Sequence, residues 1–377
     1  MTTPDHAHWM ERALQLARRG EGLTRPNPPV GAVVVRHGRI VGEGYHRRAG
    51  GPHAEVIALQ QAGTLAKGAT LYITLEPCST HGRTPPCTEA IAAAGIRRVV
   101  WAVNDPNPAH AGRASHWLRR RGIEVERGVC RDEAAALLQP FTHYCRTGRP
   151  WVTLKLGLTV DGRIADRNRR SRWITGPEAR AEVQALRRRV DAIWVGSGTV
   201  CADDPSLWPR PAKGRQPWRV VQDGAGHAPP AAQLFTDHHA AHTCIALDRR
   251  TPDKVRRAYQ AHGTGIIDVP QNPVRAVQRV CTELAKRGAL HVLCEGGGGL
   301  ADTLIRAGCV DEWWLFLAPQ VMGGHDGIPA IGGRSRLMNA LHELEFIEHR
   351  AVGRDLLIRA RPRKTASRGC QKSHDRA

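Results

Sequence analysis

His53, Cys78 and Cys87 offer one imidazole and two thiolates, and Glu55 stands two residues from the imidazole. That donor set suits zinc, and three protein ligands leave a fourth tetrahedral position open to water. A closed structural site uses four ligands, so the count points to catalysis. Glu55 is placed to carry protons to and from that water. Cys78 follows His53 by 25 residues and Cys87 follows Cys78 by nine, so residues 79–86 form an extra loop beside the site. If His81 supplied a fourth ligand, the same cluster would be a structural staple instead.

The elements that must carry these groups follow from hydrophobic periodicity. Trp9, Met10, Ala13, Leu14 and Ala17 share one face of a helix spanning about residues 5–19. A proline-rich turn leads into a buried strand at 30–35, paired as a hairpin with 40–44. Helices are expected at 53–61, 87–94 and 115–121, and strands at 69–75 and 98–103. His53 and Cys87 each open a helix in this reading, where the partial positive charge favours a thiolate. Thr147-Gly148-Arg149-Pro150 then reads as a linker, with 202–205 further on as a loop start. A second alternation follows, with strands at 151–156, 192–195, 218–222, 243–247, 265–269, 289–294, 310–317 and 355–360. Helices fall at 177–189, 274–287 and 300–307, the last preceded by the run Gly296 to Gly299, a possible phosphate cradle. This pattern implies α/β layers in two domains, 1–147 and 148–361, followed by a basic, disordered tail at 362–377.

A chain of 377 residues, 41% hydrophobic and 24% charged, has the make-up of a globular protein large enough for two cores. It holds no run of 18 apolar residues and no secretory signal at its start, so a cytoplasmic protein without membrane contact is expected. Ten cysteines are too few for a disulfide scaffold of this length. Cys130, Cys201, Cys244, Cys281, Cys294 and Cys309 read as buried packing. The formal charge of +20 comes mostly from scattered arginines, and only 5% of residues are aromatic, which leaves no stacking platform for nucleic acid. No specific nucleic-acid partner is expected, and a small phosphorylated substrate accounts for the basic charge equally well.

The order His-x-Glu, Pro-Cys, Cys is the signature of zinc-dependent nucleobase deaminases. Around it stand Pro26-Asn27-Pro28-Pro29-Val30-Gly31, Gly50-Gly51-Pro52-His53-Ala54-Glu55, Thr74-Leu75-Glu76-Pro77-Cys78 and Gly82-Arg83-Thr84-Pro85-Pro86-Cys87. Asp105-Pro106-Asn107-Pro108 follows. The second half carries Lys155-Leu156-Gly157, Asp161-Gly162-Arg163, Ser171-Arg172-Trp173-Ile174-Thr175, Ala202-Asp203-Asp204-Pro205 and Glu295-Gly296-Gly297. With these strings the chain, over about residues 5–361, resembles the bifunctional riboflavin-biosynthesis deaminase/reductases.

That resemblance implies a cytidine-deaminase-like three-layer α/β/α domain followed by a dihydrofolate-reductase-like α/β domain. It implies one zinc ion and NADPH, and a homo-oligomer, dimer or tetramer. The first reaction would be hydrolytic deamination of 2,5-diamino-6-ribosylamino-4(3H)-pyrimidinone 5′-phosphate, with Glu55 catalytic. The second would reduce the ribosyl side chain to ribityl. Carried over by position, Asn27 would hold the ribose or base edge in the first site. Gly157, Trp173, Thr199, Asp203, Gly297, Gly298 and Gly299 would contact NADPH, while Ser171, Arg187, Leu207, Arg210 and Glu295 would contact the substrate of the second. Three positions depart from the family pattern: Thr80 replaces a histidine, Ala114 a glycine, and Gly224 a serine. The alternatives are a deaminase of tRNA or single-stranded DNA bases with an accessory domain, or a deaminase with a weakened reductase half.

Overall fold

The computed structural model of the chain describes residues 6–80, 85–108, 110–211 and 215–363. The first half opens with α1 (His6–Arg18), β1 (Gly31–Arg36), β2 (Arg39–Tyr45), α2 (Ala54–Ala62) and β3 (Thr70–Leu75). It continues with α3 (Cys87–Ala93), β4 (Arg98–Val103), α4 (Arg113–Arg119), β5 (Glu124–Arg127), α5 (Arg131–Leu137) and α6 (Gln139–Thr147). Its strands lie in the order β2-β1-β3-β4-β5. β1 runs antiparallel to β2 and β3, and β3, β4 and β5 are mutually parallel.

Alternate residues of each strand serve opposite faces. Ala32, Val34, Leu71 and Val99 pack with Ala54, Ala58, Ile91 and Leu118 of α2, α3 and α4. Val33, Val35, Tyr72 and Val100 pack instead with Met10, Ala13 and Leu14 of α1. The result is the expected three-layer α/β/α sandwich. Helix α2 sits directly on β2, because a Cβ at Gly44 would lie 2.4 Å from the Ala54 carbonyl and one at Gly42 2.1 Å from that of Ala58. Only glycine permits that approach, and it fixes the height of His53 and Glu55 above the sheet.

The second half begins with β6 (Trp151–Thr159), β7 (Arg163–Ala165), α7 (Pro177–Arg187), β8 (Ala192–Gly196), α8 (Ser197–Asp203) and β9 (Trp218–Gly224). Then come α9 (Gln233–Thr236), β10 (Thr243–Asp248), α10 (Asp253–Gln260), β11 (Gly265–Val269) and α11 (Pro273–Lys286). β12 (His291–Cys294), α12 (Gly298–Arg306), β13 (Glu312–Ala318), β14 (Ile328–Pro329), β15 (Leu344–Val352) and β16 (Asp355–Pro362) complete it. Nine strands form one sheet, β11-β10-β9-β8-β12-β6-β13-β16-β15. Its pairing is parallel from β11 to β13 and antiparallel through β16 and β15. Two cores cover its faces, one with α11 and α12 and the other with α7 and α10.

Some expectations need correction. The linker expected at 147–150 does join α6, which runs to Thr147 and ends with Gly148 at φ 69°, to β6, and it is tied down, with both Arg149 Nη atoms 2.7 Å from the Asp311 carboxylate. Residues 202 and 203 close helix α8 instead of starting a loop, with Asp204 left-handed at φ 39°. Cys244, Cys281, Cys294 and Cys309 are buried as expected, but Cys201 is exposed and Cys130 half-buried. Cys201 lies on the outer side of α8, whereas Cys130, which precedes α5 at φ 51°, packs only in part against the core beneath α1. Residues 364–377, most of the expected tail, lie outside the described residues.

Candidate functional site

Strand β3 ends at Leu75, and Glu76-Pro77-Cys78 leaves the sheet there. His53 is the N-cap residue of α2 and Cys87 the first residue of α3. The His53 Nδ1 lies 3.1 Å from Cys87 Sγ and 3.6 Å from Cys78 Sγ. Among the described residues, only this group gathers three metal-ligating side chains with all donor atoms within 4.8 Å of one another. Tetrahedral zinc needs such donors roughly 3.5–3.8 Å apart. The set therefore fits the ion with shifts of a few tenths of an ångström. His81, which would have completed a four-ligand staple, lies with residues 81–84 outside the described residues.

The Cys87 backbone N–H donates to Cys78 Sγ at 3.3 Å, so the positive start of α3 favours a thiolate at Cys78 and not, as expected, at Cys87 itself. The Cys78 thiol is held down to about 4, chiefly by the hydrogen bond from the Cys87 thiol and then, against burial, by His53. Cys87 is pushed up in return, and the hydrogen bond between His53 and Cys78 keeps the imidazole up at about 9. A cation ligated here displaces those protons, because ligation takes thiolates and neutral imidazole. Glu55 lies in the first turn of α2, 4% exposed, and burial pushes its carboxyl above the ordinary range.

A cavity of about 230 Å³ opens over these groups, walled also by Asn27, His46, Asp105, Asn107, His110 and Phe141. Asn27 Nδ2 meets His46 Nε2 at 3.1 Å, and the His46 ring stands edge-on to His53 at 5.5 Å. Glu76, buried, accepts the backbone N–H groups of Asp105, Gly112 and Ala114 at 3.2, 3.0 and 3.2 Å. It thereby ties the segment bearing Asn107 and His110 to the end of β3. The departure at Ala114 keeps the N–H that Glu76 uses, and Thr80 engages His110 Nδ1 at 2.9 Å. His46, His110 and Phe141 stand outside every recognisable string; the strings at 26–31 and 105–108 signalled Asn27, Asp105 and Asn107 in this wall.

The second cavity, about 480 Å³, lies at the carboxyl ends of β8 and β12, where α/β sheets bind ligands. Ser171, Thr199, Asp203, Gly297, Gly298 and Gly299 line it. A Cβ at Gly298 would lie 2.7 Å from the Pro329 carbonyl and 2.9 Å from the Gly332 nitrogen, so Gly298 has no room for a side chain, while Gly297 and Gly299 leave the backbone of the cradle bare and open. With the start of α12 beside it, the cradle fits the phosphates of a dinucleotide. Asp161 accepts the N–H groups of Met322 and Gly323, and Arg163 donates to the Gly324 and Gly327 carbonyls. The Asp161-Gly162-Arg163 turn thus clamps the segment that closes over the cradle.

Gly157, Trp173, Arg187, Leu207, Arg210 and Glu295 are not in this cavity's wall. Arg187 Nε donates to Glu295 Oε1 at 2.6 Å, and Lys155 Nζ lies 3.9 Å from Glu295 Oε2, all three largely buried. Burial raises the Glu295 carboxyl, but the Arg187 and Lys155 charges outweigh it and hold it below the ordinary range. Lys155 received no role from the sequence beyond its place in Lys155-Leu156-Gly157. Gly157 faces Thr175, and Trp173 is 64% exposed with the Arg180 guanidinium 4.6 Å over its ring. Leu207 is buried at φ 60° and Arg210 is exposed, its N–H bound to Gln184. Gly224 adopts φ 67°, a conformation that a serine would reach only with strain.

Residues 3–103 match the family model for the cytidine and deoxycytidylate deaminase zinc-binding region, and residues 150–358 that for the RibD C-terminal domain. The riboflavin biosynthesis protein RibD of Escherichia coli is 42% identical over 369 residues, covering 93% of this chain and 98% of its own. That of Bacillus amyloliquefaciens is 41% identical over 361 residues, covering 94% and 96%. Among solved structures, Acinetobacter baumannii RibD is 35% identical with a TM-score of 0.84, covering 95% of this chain and 99% of its own. A diaminohydroxyphosphoribosylaminopyrimidine deaminase/5-amino-6-(5-phosphoribosylamino)uracil reductase from Thermotoga maritima is 34% identical, with a TM-score of 0.84 and coverage of 95% and 98%. These matches span both halves, and nothing in them favours a nucleic-acid base deaminase. The chain belongs to the RibD family, the bifunctional zinc-dependent deaminases and NADPH-dependent reductases of riboflavin biosynthesis.

Proposed function

We propose that the two cavities act in turn on one phosphorylated pyrimidine, with residues 1–147 carrying the deaminase, 148–361 the reductase and 362–377 a tail. The observation that carries this reading is the cluster of His53, Cys78 and Cys87, with His53, Cys78 and buried Glu55 in the wall of one cavity, and a separate glycine cradle in the other half. Zinc held by the two thiolates and the imidazole supplies Lewis acidity that makes water a nucleophile near neutral pH. Glu55, its carboxyl raised by burial, takes one proton from the water on a carboxylate oxygen and passes it to the ring nitrogen. It then takes the second from the hydroxyl added to the ring carbon and passes it to the departing amine, which leaves as ammonia. Asn27, anchored on His46, holds the base edge or ribose of 2,5-diamino-6-ribosylamino-4(3H)-pyrimidinone 5′-phosphate.

In the second half a bound NADPH would supply the hydride for reduction of the sugar carbonyl. Gly297, Gly298, Gly299, Thr199 and Asp203 hold the cofactor, with Gly157 and Trp173. Ser171, Arg187, Leu207, Arg210 and Glu295 contact the substrate. A zinc chelator is expected to stop ammonia release from the diamino substrate while NADPH oxidation with the deaminated compound continues. Ammonia release that survives complete zinc removal, or simultaneous loss of both activities, would contradict this division.

We also propose a homo-oligomer. Leu337, Met338, Leu341 and Phe346 are 53–84% exposed beside β15, the edge strand of the large sheet, and such clusters mark interfaces. Light scattering is expected to give a mass of at least two chains, and a monomer at micromolar concentration would count against it. A cytoplasmic location is supported by nine described cysteines free of disulfides. No described helix is long and apolar enough to cross a membrane.

A further inference from the structure

The two halves meet across a buried pair of charges that no motif announces. Arg25 lies between α1 and β1, two residues before Asn27, and Asp191 immediately precedes β8. They are 4% and 5% exposed. Arg25 Nη1 donates to the Asp191 backbone carbonyl at 2.9 Å and lies 3.8 Å from the Asp191 Oδ1. Its Nη2 donates to the Gln216 carbonyl at 3.4 Å, so both hydrogen bonds of the guanidinium go to the reductase half. Asp191 Oδ2 in turn accepts the N–H groups of Leu290 and His291, at the entry to β12. Arg215 completes the junction by donating to the Arg25 carbonyl at 3.1 Å. The backbones close in on either side: a Cβ at Gly22 would lie 2.5 Å from the Arg188 carbonyl, and one at Gly288 3.3 Å from Pro26.

From Arg25 the path to the deaminase cavity is short. The Asn27 N–H donates to the Thr24 carbonyl at 2.9 Å, and Thr24 Oγ1 donates to the Asn27 carbonyl at 2.9 Å. Residues 24–27 therefore form one closed turn with Arg25 inside it. At its far end the Asn27 amide meets His46, which packs edge-on against His53. Burying a guanidinium costs much of what its ion pair returns, so net stability is a weak reason for its presence. What it does fix is position, because its planar fork matches acceptors at set angles.

We propose that Arg25 is a positioning residue for deamination: the reductase half, through Asp191, sets where Asn27 stands in the deaminase cavity. This rests on the reading that Asn27 contacts the deaminase substrate. The test uses the full chain carrying Arg25→Gln, Arg25→Lys or Asn27→Ala, with zinc content, ammonia release and NADPH oxidation measured on each. Arg25→Gln is expected to raise the deaminase KM about tenfold, the scale of a lost hydrogen bond to a charged group. Its kcat should stay within about twofold, with zinc content and reductase kinetics unchanged. Arg25→Lys keeps the charge without the fork and should fall between the two. If Asn27→Ala raises KM while both Arg25 variants behave as wild type, the positioning role is overturned and the reading of Asn27 stands. If Asn27→Ala leaves KM unchanged, the reading of Asn27 fails, and the route from Arg25 fails with it even where the Arg25 variants raise KM. Arg25 variants that lose zinc, or lose both activities together, would show Arg25 to be a support of the fold alone and would overturn the proposal.

Discussion

Glu55→Gln is expected to lower the deaminase kcat by about 10²–10⁴-fold while zinc stays bound and reduction runs at its normal rate. The amide keeps the size and hydrogen-bonding reach of the carboxyl but cannot accept the proton that must travel from water to the leaving amine. The protein should tolerate the exchange well. Glu55 is 4% exposed and burial already pushes its carboxyl toward the neutral form, so a neutral amide removes a desolvation cost. His53, Cys78 and Cys87 are untouched, so metal analysis should still return one zinc per chain. Loss of turnover with retained metal and an unchanged melting temperature separates proton transfer from folding. Ammonia release at the wild-type rate would remove Glu55 from the mechanism.

The zinc triad was legible in the sequence for a geometric reason. Each ligand opens a helix or ends a strand in the same α/β layer, so spacing along the chain translates directly into convergence at the end of β3. The rest of the wall lacks that property. Glu76, for example, acts by gathering three backbone N–H groups up to 38 residues away, which depends on the loop path and not on side-chain types. Lys155, Arg187 and Glu295 come from three separate elements, with 108 residues between the two members of the closest ion pair. Arg25 and Asp191 are 166 residues apart in a chain where arginine is everywhere, so composition hides them.

Among the secondary elements, α5 and α8 each bury a single side chain, Ala134 and Val200, so neither shows an apolar face for periodicity to reveal. Strand β15 is exposed along most of its length, so it lacks the alternation that marks a half-buried strand. The four glycines from Gly296 to Gly299 were visible as a cradle, but the backbone that closes on Gly298 comes from Pro329 and Gly332. That closure belongs to the tertiary fold, held by the Asp161-Gly162-Arg163 clamp.

Glu295→Gln is expected to abolish reduction and to destabilise the reductase half by about 3–5 kcal/mol, with deamination left intact. The side chain neutralises two buried cations, Arg187 at 2.6 Å and Lys155 at 3.9 Å, and a glutamine leaves both without a counter-charge. Lys155, whose ammonium burial already pushes below its ordinary range, would then shed its proton more readily. Arg187 has no such escape and would remain charged in a dry site. The pH dependence gives a second, independent reading. Although burial raises the Glu295 carboxyl, Arg187 and Lys155 hold it below its ordinary value in the folded chain. Its stabilisation is therefore complete above an unfolded pKa of about 4.3 and is lost as pH falls through the lower folded value. Melting of the reductase half, followed from neutral pH into acid, should show that loss in the wild type. The glutamine variant should melt low throughout and lack that acid step. Identical melting profiles for the two proteins would mean that the cluster is not the electrostatic centre of this half. Reduction that persisted beside such profiles would also free Glu295 from any role at the substrate.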